Sequence, residues 1–432
     1  MDLFSTIKQI VQKKTDYDPP GIFSICSANP YVLTVSMRSA IKHGFPLLIE
    51  STCNQVNQYG GYTGMKPHGF IQYVYQLAAK NGLHSENIFL GGDHLGPSVW
   101  KKEPAALAME KSIELVREYI KAGYKKIHLD ASMPCLDDPI PLPENMIFER
   151  EALLCTAAVE QCANVGVDLS NIVFVVGTEV PTPGGAVQDE SSIGVSSIHE
   201  TKQNIERTKQ VFTAHGLQAA WEQTLAFVIQ PGVEFSDSQI HQYNRKKAKD
   251  ISRLIEDYDN LIFEAHSTDY QTRDHLKELV EDHFAVLKVG PALTFALREA
   301  VFALETIERI LFNNKTGPQS DFEKVLDQAM CAQPIYWNNH YASNPNEAAF
   351  QRKYSLLDRS RYYFSNPSVV SSLQQLINNL SERNIPVSLL SQFLPNQYIK
   401  VKEGIIQNNP IALIHAKVED VLSDYIDACG LN

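Results

Sequence analysis

The sequence predicts an α/β fold, a closed (β/α)8 TIM barrel followed by a helical carboxyl-terminal extension. Eight short runs, apolar throughout, recur along the chain and are separated by segments with helical periodicity. Strands that are apolar on both faces and joined by crossover helices are parallel strands covered on both sides, and eight such units favour closure over an open sheet. Nearly every run also ends in a polar residue, as barrel strands do where they deliver side chains to a site at their carboxyl ends.

The runs come in order. A helical segment at Leu3 to Lys14 and a Pro-Pro-Gly break precede GIFSIC at Gly21 to Cys26, and a helix near Pro30 to His43 leads to PLLIE at Pro46 to Glu50. Then follow IFLGGD from Ile88, KIHLDA at Lys126 to Ala131, NIVFVVGTE at Asn171 to Glu179, LAFVIQ at Leu225 to Gln230, NLIFEAH at Asn260 to His266 and FAVLKVG at Phe284 to Gly290. Helical periodicity marks Ala108 to Gly123, Arg150 to Asn164, Ser196 to His215, Ser236 to Tyr258 and Tyr270 to Asp282. Past Leu311 the alternation stops, so the expected division is a barrel over 1–315 and a helical extension over 316–432. Helices are expected there at Ser320 to Ala332, Ser368 to Ser381 and Val418 to Cys429, around the aromatic and polar stretches QPIYWNNHY and YSLLDRSRYYF. In the second stretch Asp358, Arg359 and Arg361 could reach a substrate or lock the extension to the barrel through an ion pair.

Composition bounds the function. With 432 residues, 44% of them hydrophobic and 20% charged, the chain suits a globular enzyme with a large core. A net charge of -12 and no long Lys/Arg run exclude an electrostatic footprint for nucleic acid or an anionic membrane. No stretch approaches the roughly 20 apolar residues of a membrane span, and the opening MDLFSTIKQIVQKKTDYDPP lacks the apolar core of a signal peptide. The expected location is the cytoplasm. Seven scattered cysteines without Cys-x-x-Cys spacing suit a reducing compartment and argue against a disulfide framework or a zinc finger.

The strand ends carry Ser27, Glu50 with Asn54 and Gln55, Asp93 with His94, Asp130, Glu179, Gln230, Glu264 with His266, and Lys288. Strand ends meet solvent and are often polar for that reason alone. Two histidines with several carboxylates form a more particular set, because imidazole and carboxylate suit zinc, manganese and similar divalent ions. The candidate roles are acid–base for Asp93, Glu179 and Asp130, metal-binding for His94, His266 and Glu179, and substrate-binding for Ser27, Asn54, Gln55, Gln230 and Lys288. Lys288 could form a Schiff base if desolvated, or pair with a carboxylate. The loop CNQVNQYGGYTGMKP at Cys53 to Pro67 is rich in amide and tyrosine side chains and is expected to face a substrate, and GTEVPTPGGA at Gly177 to Ala186 could cover a site.

The motifs GIFSICSANPYV, IESTCNQVNQYGGYTGMKP, GGDHLGPSVW, KIHLDASMPC, GTEVPTPGGA, EAHSTDYQT, LKVGPALTFALREA, YSLLDRSRYYF and LLSQFLPNQY resemble one family over essentially the whole chain. It is that of the non-catalytic subunit of class II D-tagatose-1,6-bisphosphate aldolase, formerly labelled tagatose 6-phosphate kinase and including ketose epimerases. The resemblance implies a partner, the catalytic aldolase subunit, and a sugar or sugar-phosphate ligand; the amphipathic carboxyl-terminal helices could pack on the barrel or on another subunit, a second copy of the chain included. The alternative is a stand-alone metal-dependent 4-epimerase of a ketose. The family is distantly similar to the zinc-dependent class II aldolases, whose strand-three Asp-His pair is matched by Asp93 and His94, strand-seven zinc histidine by His266 and strand-five acid by Glu179. Where those enzymes carry a further zinc histidine on strand six this chain has Gln230, and STDYQT replaces their glycine-rich phosphate cradle. No G-x-x-x-x-G-K-[ST] loop supports kinase chemistry.

Overall fold

The apolar runs form strands whose alternate residues face into or out of a barrel. The computed structural model describes residues 3–177, 185–186, 193–312 and 318–432. Its strands are β1 (Ile22–Ile25), β2 (Leu47–Thr52), β3 (Ile88–Leu95), β4 (Lys126–Leu129), β5 (Val173–Val176), β6 (Thr224–Val228), β7 (Ile262–Ala265) and β8 (Val286–Val289). All neighbours are parallel, each strand pairs with the next in the chain, and β8 closes on β1 with Ser24 opposite Lys288. The expected barrel is therefore present, and helices follow it to the carboxyl terminus.

Two apolar layers sandwich the wall. Outward residues such as Phe23, Ile49, Leu90, Ile127 and Phe263 pack under the surrounding helices. Inward residues Ile22, Leu48, Phe89, Val173, Ala226, Ile262 and Val286 fill the amino-terminal end of the barrel. That end is stoppered by the helix Leu3–Gln12, which buries Leu3, Ile7, Ile10 and Val11 against them at the 3- and 4-residue spacing of one helix face. Above this plug the inward positions are Ser24, Glu50, Lys126, Glu264 and Lys288, all buried and all polar.

Three expected helices begin elsewhere; the one expected from Arg150 starts at Glu144, directly after Pro143. The segment after Ser236 forms a two-residue antiparallel ribbon, Glu234–Phe235 against Ile240–His241, and its helix starts only at Arg245, where the Asn244 side chain accepts from the Lys247 backbone N–H. The last helix spans Pro410–Ala428, eight residues earlier than Val418, because Asn409 caps it and Pro410 occupies its first turn. It packs on the helix Pro291–Phe312 and on Arg273–Glu281. The extension is also held by charge: Arg298 Nε donates to Asp358 Oδ1 at 3.0 Å while Thr294 Oγ1 donates to Asp358 Oδ2 at 2.6 Å, with both charged residues buried. Of the two expectations for Asp358, the ion pair is the one formed. Among the described residues no helix is long and apolar enough to cross a membrane.

A methyl group built on Gly96, just after β3, would lie 1.7 Å from the Asp130 carbonyl oxygen, whereas one on Gly69 meets nothing within 4 Å. Gly96→Ala should therefore destabilise the fold by about 3 kcal/mol or more, since the obstruction is backbone rather than a movable side chain. Gly69→Ala, inside the helix Pro67–Asn81, should stabilise it by about 0.5–1 kcal/mol. Urea unfolding midpoints of the two variants against wild type check both signs.

Candidate active site

The carboxyl end of the barrel is organised by a break in β3. In a regular strand Asp93 and His94 would point to opposite faces. Here the β3–β4 register shifts between Gly92 and Leu95 and His94 adopts φ 49°, the left-handed region that non-glycine residues rarely enter. Such a bulge re-aims a side chain. Both residues consequently line one cavity, and His94 takes Asp130 as its partner, Nδ1 to Oδ2 at 2.8 Å.

Three imidazoles converge: the ring centres of His94, His128 and His266 are 4.9, 5.1 and 5.1 Å apart. Each has one ring nitrogen on a carboxylate. His94 has Asp130, His128 places Nδ1 2.8 Å from Asp93 Oδ1, and His266 places Nε2 3.0 Å from Glu264 Oε1. A carboxylate on one nitrogen fixes the ring and leaves the other free to act as a ligand. His128 Nε2 is buried without a hydrogen-bond partner.

Below the rings lies the charged layer. Lys126 Nζ is 2.8 Å from Glu50 Oε1 and 2.7 Å from Glu264 Oε2, and Lys288 Nζ is 2.5 Å from Asp93 Oδ1 and bonded to Glu50. Burial opposes the Lys288 charge, but Asp93 and Glu50 outweigh it and hold the amine protonated well above its usual range. An amine so held is no Schiff-base nucleophile; of the two expectations for Lys288, pairing is the one observed. Burial likewise opposes ionisation of Asp93, yet His94 and Lys288 keep its carboxyl well below the usual range, and Glu264 is held low in the same way by Lys126 and Lys288. For His94 burial is overcome by Asp93 and Asp130, so its pKa is raised, whereas burial dominates at His266 and takes it down to about 3.

The donor atoms of Asp93, His128, Glu264 and His266 all lie within 4.8 Å of one another, close enough to share one ion. Four carboxylates (Glu50, Asp93, Asp130, Glu264) face two lysines in this buried region, a surplus of two negative charges that a divalent cation balances. The unpartnered nitrogen, the mixed imidazole–carboxylate donors and the charge surplus all fit such an ion.

Of the residues singled out in the sequence, Asn54, Gln55, Asp93, His94, His266 and Lys288 line the one cavity. Asp130 stands behind His94, its Oδ1 taken by the Ser132 backbone N–H and hydroxyl, so it positions the ring. Ser27 lines an adjoining chamber. Gln230 turns away: its Oε1 accepts from the Gly232 and Val233 backbone N–H groups and caps a turn. Glu179 and most of the Gly177 to Ala186 loop lie outside the described residues. His128 and Lys126 were not singled out, although Lys126, His128 and Asp130 alternate with Ile127 and Leu129 as inward residues of a strand do. The extension adds Arg361 and Tyr362 to the cavity wall.

Lys126→Met leaves Lys288 as the one ammonium for the buried Glu50 and Glu264 and should cost about 3–5 kcal/mol of stability. Arg117→Ala, which removes an exposed pair with Glu160, should change it by less than about 1 kcal/mol. Equal shifts in chemical unfolding would show that the interior layer is not electrostatically strained by the loss.

The family model described as D-tagatose-1,6-bisphosphate aldolase subunit GatZ/KbaZ-like matches residues 7–430. A crystal structure titled probable tagatose 6 phosphate kinase, from Sinorhizobium meliloti 1021, is similar at 39% identity and a TM-score of 0.86, covering 95% of this chain and 100% of that one. The YdjI aldolase of Escherichia coli K12 (11% identity, 85% and 97% covered) and fructose-bisphosphate aldolase of Campylobacter jejuni (12%, 88% and 90%) both give a TM-score of 0.42, too remote to bear on activity. Matched by the family model from one end to the other, the chain belongs to the D-tagatose-1,6-bisphosphate aldolase subunit GatZ/KbaZ-like family.

Proposed function

We propose that this aldolase-family subunit is a divalent-metal-dependent catalyst in its own right, acting on a ketose or ketose phosphate by retro-aldol or proton-transfer chemistry, as a 4-epimerase would. The observation that carries this is the set of three imidazoles, each steered by its own carboxylate, of which His94 and His266 line the cavity and His128 is buried beside them. A barrel retained only as scaffold has no need of a buried layer with surplus negative charge, which is costly unless balanced.

His128, His266 and Glu264 would hold the ion, with His94 beside them; zinc and manganese both suit these donors. Such an ion would supply Lewis-acid polarisation of a substrate carbonyl. The chain's own residues handle the protons. Asp93 Oδ2, the oxygen left clear of Lys288 and His128, accepts a proton, and His94, whose Nε2 is 3.6 Å from that oxygen and whose pKa is raised by Asp93 and Asp130 against its burial, returns one. Asn54 lines the cavity and offers hydrogen bonds to sugar hydroxyls, whereas Gln55 shapes the wall, its Oε1 accepting from the Thr52 backbone N–H and its Nε2 donating to the Cys26 carbonyl. Asp130 holds His94 in its orientation.

A second reading follows from the family description: the chain stabilises or activates a catalytic aldolase subunit. The two separate cleanly. Purified alone, wild type should contain close to one divalent ion by elemental analysis, and His128→Asn and His266→Asn should lose it. In a panel of ketoses and ketose phosphates, Asp93→Ala should lower the chain's own turnover by about 100- to 10,000-fold, the usual contribution of a placed acid–base group. A metal-free wild type with no turnover, which nevertheless restores activity to the catalytic aldolase subunit, would leave only the partner reading.

A further inference from the structure

The extension contributes Arg361 and Tyr362 to the cavity wall, and among the described residues the Arg361 guanidinium has no carboxylate partner. Arg359 is 5% exposed, and among the described residues neither Arg359 nor Arg361 forms an ion pair with a carboxylate. The Arg359 guanidinium donates to Tyr362 Oη at 3.0 Å and to His340 Nδ1 at 2.9 Å, and its Nε has no partner. Arg361 donates to the carbonyl oxygens of Leu357 and Asp358, the latter at 2.9 Å, and reaches Tyr362 Oη at 3.3 Å. Asp358 itself is committed to Arg298, Thr294 and Ser360. Asp269, the other carboxylate in this wall, accepts from the Gly290 and Ala292 backbone N–H groups.

Buried charges are normally paired, and a guanidinium left without a counter-ion beside a cavity is suited to a planar or tetrahedral oxyanion that it can grip with two N–H groups. The neighbours feel the excess. His340 is pushed down to about 3 by burial and then by Arg359, Arg361 and Lys101, so it accepts rather than adds charge. Burial disfavours the Tyr362 phenolate, but Arg361 and Arg359 outweigh it and lower the phenol. A phenol titrating near 10 when free is a poor standing counter-ion for two guanidinium groups.

Arg361 also stands where two spaces meet. It lines the imidazole cavity and, with Gln55 and Tyr62, an adjoining chamber of about 320 Å³ bordered by Ser27, Asn29 and Thr63. We infer that Arg361, backed by Arg359, is the subsite for an anionic end, phosphate or carboxylate, of a substrate whose carbonyl and hydroxyl end lies on the imidazole floor. The inference rests on the proposed sugar chemistry and narrows it to anionic sugars. It supplies from the extension the anion recognition for which the sequence offers no glycine-rich cradle.

Calorimetric titration of the full chain with inorganic phosphate, glycerol 3-phosphate, glycerate and glycerol tests it. Glycerol 3-phosphate or glycerate should bind at least tenfold tighter than glycerol, weakening as salt is raised, and whichever of the two binds better identifies the anion. Arg361→Met should lose the preference by about 10- to 100-fold with unchanged circular dichroism. Should that variant not fold, Arg361→Lys, which keeps the charge without the fork, should lose part of it. Equal binding of glycerol and its charged analogues, or wild-type affinity in both variants, would overturn the subsite. Asp93→Asn should retain phosphate binding within about threefold, and a wild-type chain that binds these anions but turns nothing over would sink the catalytic reading and leave this one standing.

Discussion

Two lysine ammonium groups enclosed by a β-barrel constrain everything around them. Removing an ion from water costs several kcal/mol even after relaxation, and the cost is offset only where opposite charges are met at hydrogen-bonding distance. Lys126 and Lys288 meet Glu50, Asp93 and Glu264, which arrive from five different strands in all, so the pairing is satisfied only when the barrel is closed. The layer also needs room. A methyl group on Gly91 of β3 would lie 2.7 Å from the Glu50 side chain, so the glycine reserves the space that the carboxylate fills.

This layer supports the reactive one. Asp93 belongs to both, with Lys288 and His128 on one oxygen and the other turned towards His94. A change to either lysine therefore alters the charge around Asp93 and the imidazoles as well as the stability of the barrel. The left-handed backbone at His94 is the local cost of bringing two successive residues to one cavity, and strain of this kind persists where the surrounding structure over-determines it. The Asp130 bond to His94 and the close passage of Gly96 under the Asp130 carbonyl do so here.

The extension completes the cavity. Tyr362 meets Tyr62 of the β2 loop edge to face, with ring centres 4.5 Å apart, and stacks on Tyr336. The Arg298–Asp358 pair fixes the segment that carries Arg361 and Tyr362, so a structural ion pair and two cavity residues share one short stretch of chain. The cavity is thus divided: the barrel contributes carboxylates, imidazoles and Lys288, and the extension contributes positive charge and aromatic walls.

Much of the fold could be read from residue order, because apolar runs, their period and their polar ends are local properties. The closed barrel, the Asp93–His94 pair, His266 and Lys288 follow from such patterns. The helix expected from Ser236 did not, because a ribbon and the Asn244 cap compete with a helical period that is weak there. What the tertiary structure alone decided were relations between distant residues. Gln230 and Lys288 are both polar strand ends, yet one caps a turn and the other pairs with Glu50 across the barrel, and spacing along the chain cannot separate them. Lys126 and His128 are visible in sequence as alternating polar residues, but the reason they matter, that strand parity turns them inward onto Glu264 and Asp93, exists only once the sheet closes. By itself the sequence determined the strands, the family likeness and the acid–imidazole pair, since each is written in contiguous residues. Closure decided which charges meet, because pairing across a barrel depends on distances that no local pattern encodes.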